Sequence, residues 1–335
     1  KRAGSVLAAA GPVNLCRLIT AHISKHSSEC VELGGAASSA SSCPQLNARF
    51  NFVPPDNNRI RIKTVSDRLL PLVVEPEQLE TVLGHERLVI LHISKADRYA
   101  QFHVPGAVFV EGARYVKVEK PVFGMLPAAQ SFGQLLESLG ISPNSHVVCY
   151  DDEGGGWASR FLWTLDVAGH NDFSLLNGGL VAWVNEGFST SQQAVTPATG
   201  SYSVSWRQEP VADTEYILSR LGAPDLGLLD SRTPQEFSGE KKFSARGGHI
   251  PGASLLNWTD TMDQSRNLRL KPAEELRAML EQRGLTADKE IICYCQSHHR
   301  SSLAYIMLKH LGYQRIRGYP GSWSAWGNHP DTPVE

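Results

Sequence analysis

The stretch Ile291-Ile292-Cys293-Tyr294-Cys295-Gln296-Ser297-His298-His299-Arg300-Ser301-Ser302 decides how the rest of the chain reads. A β-branched apolar run ends at Cys295, and a short polar loop follows. Leu303, Ile306, Met307 and Leu311 then recur at helical spacing. The pattern is strand, loop, helix, with a cysteine at the carboxyl end of the strand, the edge at which open α/β sheets bind ligands. Loop N–H groups converge there, and the helix N-terminus adds partial positive charge. Such surroundings lower a thiol's pKa and hold an anion. No Asp or Glu occurs from Ile291 to Pro330, whereas Arg300, Lys309, Arg315 and Arg317 do, and His298, His299, His310 and His329 stand to add partial charge. Cys293 lies inside the apolar run and reads as a buried structural residue. The Cys293, Cys295, His298, His299 group is spaced more tightly than paired metal ligands, and no second pair stands out elsewhere, so no metal and no cofactor are expected.

The loop Cys295-Gln-Ser-His-His-Arg300-Ser resembles the active-site loop of bacterial rhodaneses, in the branch whose loop reads Cys-Gln-Thr-His-His-Arg. Gly248-His249-Ile250-Pro251-Gly252-Ala253 and Gly321-Ser322-Trp323-Ser324-Ala325-Trp326 are similar to two further signatures of that family. The resemblance covers roughly residues 72 to 335. It implies tandem domains of which only the second is catalytic, and a thiosulfate:cyanide sulfurtransferase activity.

The chain itself supports the tandem plan. At 335 residues, two domains of ordinary size are the better expectation. Leu88-Val89-Ile90-Leu91 is matched by Leu226-Gly227-Leu228-Leu229, and His103-Val104-Pro105-Gly106-Ala107 by His249 to Ala253. Val147-Val148-Cys149-Tyr150 is matched by Ile291 to Tyr294, and Ala182-Trp183 by Ala325-Trp326. Strand runs alternating with helical patterns (Gln130 to Leu139, Ala273 to Gln282) call for an α/β fold of two homologous domains, each a parallel sheet with helices on both faces. The expected divisions are an N-terminal extension over 1–71, a non-catalytic domain over 72–188, a Ser/Thr/Gln-rich linker over 189–201 and a catalytic domain over 202–335.

The extension is low in complexity around Gly34 to Ser42 and carries eight Lys/Arg up to Lys63 against Glu29, Glu32 and Asp56. A disordered tail, an artefactual start and an organelle transit peptide all fit this composition. The location expected is cytoplasmic, or mitochondrial if the segment is a transit peptide. Six scattered cysteines suit a reducing compartment. A net charge of −2 argues against a nucleic-acid partner, and no apolar run reaches membrane-spanning length.

The repeat places Asp151 where the second copy has Cys295. The first loop continues Asp152-Glu153, and from Val147 to Glu186 six acids face one base, Arg160. Such a loop repels thiosulfate and has no thiol. The chemistry that the resemblance implies is attack of the Cys295 thiolate on the outer sulfur of thiosulfate, then transfer from a cysteine persulfide to cyanide or a thiol. Arg300, His298, His299, Gln296, Ser297, Ser301 and Arg232 are the expected substrate-binding residues. Asp230-Ser231-Arg232 reads first as a structural ion pair, and Glu236 stands where some relatives carry a substrate-binding arginine. Three alternatives stay open: a 3-mercaptopyruvate sulfurtransferase, a phosphatase (whose loop has one residue more between Cys and Arg) and a persulfide donor to a thioredoxin-like or other sulfur-acceptor protein.

Overall fold

A computed structural model describes residues 68–335. In chain order the strands are β1 (Val73–Val74), β2 (Leu88–Ile93), β3 (Val108–Val110), β4 (Lys117–Glu119), β5 (Val122–Met125), β6 (His146–Tyr150) and β7 (Phe173–Leu176). They continue with β8 (Leu226–Asp230), β9 (Ala253–Leu255), β10 (Met262–Asp263), β11 (Arg269–Leu270), β12 (Glu290–Tyr294) and β13 (Ile316–Gly318). The α-helices are α1 (Pro76–Glu80), α2 (Ala96–Gln101), α3 (Ala129–Ser138), α4 (Gly156–Val167), α5 (Gly179–Asn185), α6 (Thr214–Arg220), α7 (Pro234–Phe237), α8 (Ala273–Glu281), α9 (Arg300–His310) and α10 (Ser322–Trp326).

Two parallel sheets result, ordered β1-β7-β6-β2-β3 and β13-β12-β8-β9, with β4–β5 and β10–β11 as small antiparallel ribbons. The registers repeat. Cys149 pairs with Leu91 and Tyr150 with His92, as Cys293 pairs with Leu229 and Tyr294 with Asp230. Every residue of β6 and β12 is buried, as expected for central parallel strands covered on both faces. Alternate residues serve opposite faces. Val148, Tyr150, Ile292 and Tyr294 face the two outer cores, whereas Val147, Cys149, Ile291 and Cys293 join one core shared by both domains. Helices α4 and α9 run through that shared core and are buried nearly all round.

The paired His-x-Pro-Gly-Ala motifs have a packing role. The Tyr150 hydroxyl accepts from Val104 N (3.0 Å), and the Tyr294 hydroxyl from Ile250 N (3.2 Å). His103 stacks on Tyr99 and His249 on Phe237, each with Nδ1 bonded to a backbone carbonyl.

Two expected divisions shift. Residues 1–67 of the N-terminal extension lie outside the described residues. Leu70, however, is buried, and Pro71 O accepts from Ser174 Oγ at 2.6 Å, so the end of that segment is part of the first domain. Residues 202–207 also belong to the first domain rather than the second. Tyr202 O lies against Gly133, Trp206 packs on Phe132 at 5.5 Å, and Arg207 N donates to Val167 O. Tyr202, Val204 and Trp206 pack on the surface of α3 instead. The second domain begins where Val211 bridges to Gly318.

A charged tie spans the domains. Arg269, preceding the second domain's α8, binds Glu75, Glu77 and Glu186 of the first domain and is 9% exposed. Leu270 N donates to Asn177 Oδ1 at 2.7 Å beside it. Replacing Arg269 by Ala leaves three carboxylates without their partner. The Arg269→Ala variant is expected to lose about 2–3 kcal/mol of stability, read as a lower urea midpoint at unchanged slope.

Candidate active site

Cys295 follows directly on β12, and α9 begins at Arg300, so the loop between them is only five residues long. The loop is pinned from three sides. Trp323 N and Ser324 N, at the start of α10, donate to the carbonyls of Cys295 and Gln296. Cys295 N donates to Ser322 Oγ at 3.3 Å. Ser302 Oγ donates back to His298 O, across a turn in which His298 adopts φ 59°.

The thiol of Cys295 is 1% exposed. Burial alone would raise its pKa. The Arg300 charge, the Ser301 hydroxyl and the N–H groups of Ser301 and Ser297 more than offset this, and the net shift is downward. Cys293, two residues earlier, has burial without such donors and is pushed up. One thiol of the pair is therefore poised to ionise and the other is inert.

The remaining loop residues divide by task. His298 is fully buried, with Nδ1 at 2.7 Å from Ser301 Oγ. Burial, Arg160 and His299 hold it far below the usual histidine pKa, so the ring is neutral. As the Nδ1–H tautomer it donates to Ser301 Oγ, whose own proton is then directed at the sulfur. His299 lies over Trp157 at 3.9 Å with Nδ1 near Ser297 Oγ, and burial with Arg160 and Arg300 lowers its pKa to about 3. The expectation that both histidines add charge and meet the sulfonate is thus corrected: they turn beneath the loop onto the first domain and stay neutral. Gln296 Nε2 reaches Ser244 Oγ at 3.3 Å.

Arg300 spends its fork on Glu236, with both contacts at 2.8 Å. It acts on the thiolate through its charge. Glu236 is the residue that sequence reasoning undervalued. Its position in the α7 capping box, bonded to Thr233, fixes where Arg300 can sit. Arg232 forms the structural ion pair with Asp230, and its place among the substrate-binding residues is corrected. It is 1% exposed, bonds Asp230 through Nε and Nη2 and Gly248 O through Nη2, and packs on Trp323 at 4.5 Å. No part of it is open to a substrate. Arg246 is likewise engaged, holding the carbonyls of Trp326 and Thr332. Among the described residues no three His, Cys, Asp or Glu side chains converge as metal ligands.

Residues 75–186 and 213–329 each match the family model of the rhodanese-like domain. The chain belongs to the rhodanese family. Over 266 residues this rhodanese is 48% identical to the thiosulfate sulfurtransferase of Azotobacter vinelandii, spanning 79% of this chain and 97% of that one. It is 35% identical to the sulfur carrier protein TtuD of Thermus thermophilus (70% and 86% covered) and 30% identical to the 3-mercaptopyruvate sulfurtransferase of Escherichia coli K12 (72% and 85%). A solved anaerobic ergothioneine biosynthesis enzyme from Chlorobium limicola shares the fold, with TM-score 0.70 at 23% identity over 80% of this chain and 70% of that one.

The rhodanese's first domain shows what the same loop does without a thiol. The Asp151 carboxyl accepts from the N–H groups of Glu153, Gly155, Trp157 and Ala158 at 2.7–3.0 Å. The converging donors are filled by the loop's own side chain. A cavity of about 380 Å³ lies at the strand ends beside it, lined by Asp97, Glu111, Asp152 and Glu153 with Lys95 and Arg98.

The Glu236–Arg300 pair yields a pH prediction. Burial would raise the Glu236 pKa, but hydrogen bonds and charge from Arg300, with Thr233, bring it down to about 2. A depressed carboxylate contributes stability that is present above its ordinary pKa, about 4.5, and is lost as pH falls towards the folded value. The pair is thus worth at most about 3 kcal/mol at neutral pH. Glu236→Gln is expected to be less stable than wild type at pH 7, with the gap closing between about pH 4.5 and pH 2. Urea unfolding across that range checks it, and a gap independent of pH would refute it.

Proposed function

We propose that this rhodanese is a thiosulfate sulfurtransferase working through a persulfide on Cys295. The observation that carries the reading is a thiol at the end of β12 on which the Ser301 hydroxyl and the N–H groups of Ser297 and Ser301 converge, with the Arg300 charge behind them. The thiolate attacks the outer sulfur of thiosulfate, the S–S bond of thiosulfate breaks, and its electron pair leaves on sulfite. The N–H groups of Ser297 and Ser301 and the Ser301 hydroxyl then hold the persulfide anion, which needs no proton from the protein. Cyanide carbon attacks the outer sulfur, the Cys295 Sγ–S bond breaks towards Sγ, and thiocyanate departs. Two half-reactions through one covalent intermediate give ping-pong kinetics.

Gln296 and the loop N–H groups serve the substrate directly, Arg300 supplies charge, and His298 and His299 hold the loop's shape. The 48% identity to a thiosulfate sulfurtransferase favours thiosulfate over 3-mercaptopyruvate as donor. The relative named as a sulfur carrier protein supports a second reading, in which a thiol-bearing protein takes the sulfur in place of cyanide. A cytoplasmic location suits Cys149, Cys293 and Cys295, which are all free. Among the described residues no helix is long and apolar enough to cross a membrane.

Intact mass decides the central claim. Wild type is expected to gain about 32 Da with thiosulfate and to lose it to cyanide, while Cys295→Ser does neither. A gain with 3-mercaptopyruvate alone would transfer the assignment to that donor. A gain retained in Cys295→Ser would refute the role of Cys295.

A further inference from the structure

Helix α4 belongs to the first domain, yet its Trp157, Arg160 and Trp163 follow at three-residue spacing along one side. Both tryptophans touch the catalytic loop, Trp157 over His299 at 3.9 Å and Trp163 edge-on to His298 at 4.4 Å. Arg160 lies between them, its guanidinium 4.7 Å from the Trp163 ring. It is completely buried. Its Nη2 donates to Gly124 O (2.7 Å) and Met125 O (3.3 Å), while Nε and Nη1 have no hydrogen-bond partner among the described residues.

A buried guanidinium without a carboxylate is strongly unfavourable unless some anion offsets it. Burial pulls the Arg160 pKa down to about 10, so the group stays charged at neutral pH. Two groups oppose that shift, the Tyr115 hydroxyl and the Cys295 thiol. Tyr115 is itself pushed far above the normal tyrosine range and remains neutral. Of these two groups, Cys295, whose own pKa is lowered, is the one able to carry charge opposite Arg160. Gly124 supplies a mechanical link as well. A Cβ at that position would lie 2.4 Å from Ser297 O and 2.2 Å from Pro320 O, so the β4–β5 hairpin held by Arg160 rests directly on the catalytic loop.

We propose that Arg160, supplied by the first domain, is a positioning residue for sulfur transfer: it clamps the β4–β5 hairpin onto the catalytic loop and provides a second cation for the Cys295 sulfur. The first domain then contributes to the chemistry although its own loop has no thiol. The proposal rests on Cys295 being the nucleophile.

The test is the pH dependence of iodoacetamide alkylation in the cyanide-treated full chain, with the labelled residue located by peptide mass mapping. Wild type, Arg160→Gln and Arg160→Lys are compared, with circular dichroism to verify folding and steady-state kinetics on thiosulfate. Gln keeps a donor for the Gly124 carbonyl without the charge, and Lys keeps the charge without the fork. The alkylation midpoint is expected to rise by about one pH unit in Arg160→Gln and by less than about 0.3 in Arg160→Lys. In Arg160→Gln, kcat is expected to fall about tenfold with KM changed less than about twofold, because Arg160 is out of the substrate's reach. Equal midpoints in wild type and Arg160→Gln overturn the proposal. So does an equal rise in both variants, which marks lost packing rather than lost charge. If Arg160→Gln does not fold, Arg160→Met, whose apolar chain fills the buried site, is read in its place. Label on Cys149 or Cys293 in wild type would instead sink the Cys295 reading itself.

Discussion

A thiol poised to ionise with almost no access to water has to be stabilised by the protein, and much of the second domain is arranged around that requirement. Water would solvate a thiolate from all sides. Here Ser297 N–H, Ser301 N–H and Ser301 O–H replace it, with the Arg300 charge behind them. Each replacement has its own support. The loop carbonyls are tied to α10, the Ser301 hydroxyl is oriented by a neutral His298, and Arg300 is held flat against Glu236. Because these supports come from separate parts of the chain, the site exists only when the second sheet, α9 and α10 are all in place.

The two domains test this account against each other. Both put an anion-capable side chain at the same register position, immediately after the Tyr150 or Tyr294 that ends the central strand. In the first domain Asp151 takes four N–H groups for itself, so those donors are not open to an incoming anion. In the second the donors serve a sulfur that can pass its charge to a bound group and recover it. The difference starts at that one position and extends to the Arg300 and Ser301 that follow it, where the first loop has Gly156 and Trp157.

The fold was legible in the sequence because parallel strands buried on both faces leave apolar runs that cannot be missed, and here each run occurs twice. Cys295 was legible for the same reason, standing where such a run meets a loop free of acids. The partners of the site were not. A loop rich in His and Arg reads as cationic, but protonation depends on burial and neighbours, and His298 and His299 turn onto the first domain beside Arg160. Arg232 and Arg300 are both held by carboxylates, Asp230 and Glu236, and residue type alone does not reveal such pairing across the fold. Arg160 stood out as the one base in an acidic stretch, but nothing in a linear pattern says that α4 lies against α9. The domain division slipped for a related reason: Tyr202, Val204 and Trp206 have the alternation of a strand and are used as a strap across α3.

The shared core also sets an order of events at synthesis. Helix α4 is buried on nearly every side, and one of its sides is covered by α9 and the loop before it, which leave the ribosome much later. Until then a nascent first domain, otherwise complete, displays Trp163 and its neighbours to the surroundings. Chains at that stage carry matching sticky faces and would bind one another as readily as their own missing half. Domain pairing that serves the finished enzyme therefore leaves the growing chain dependent on shielding until its last helices arrive.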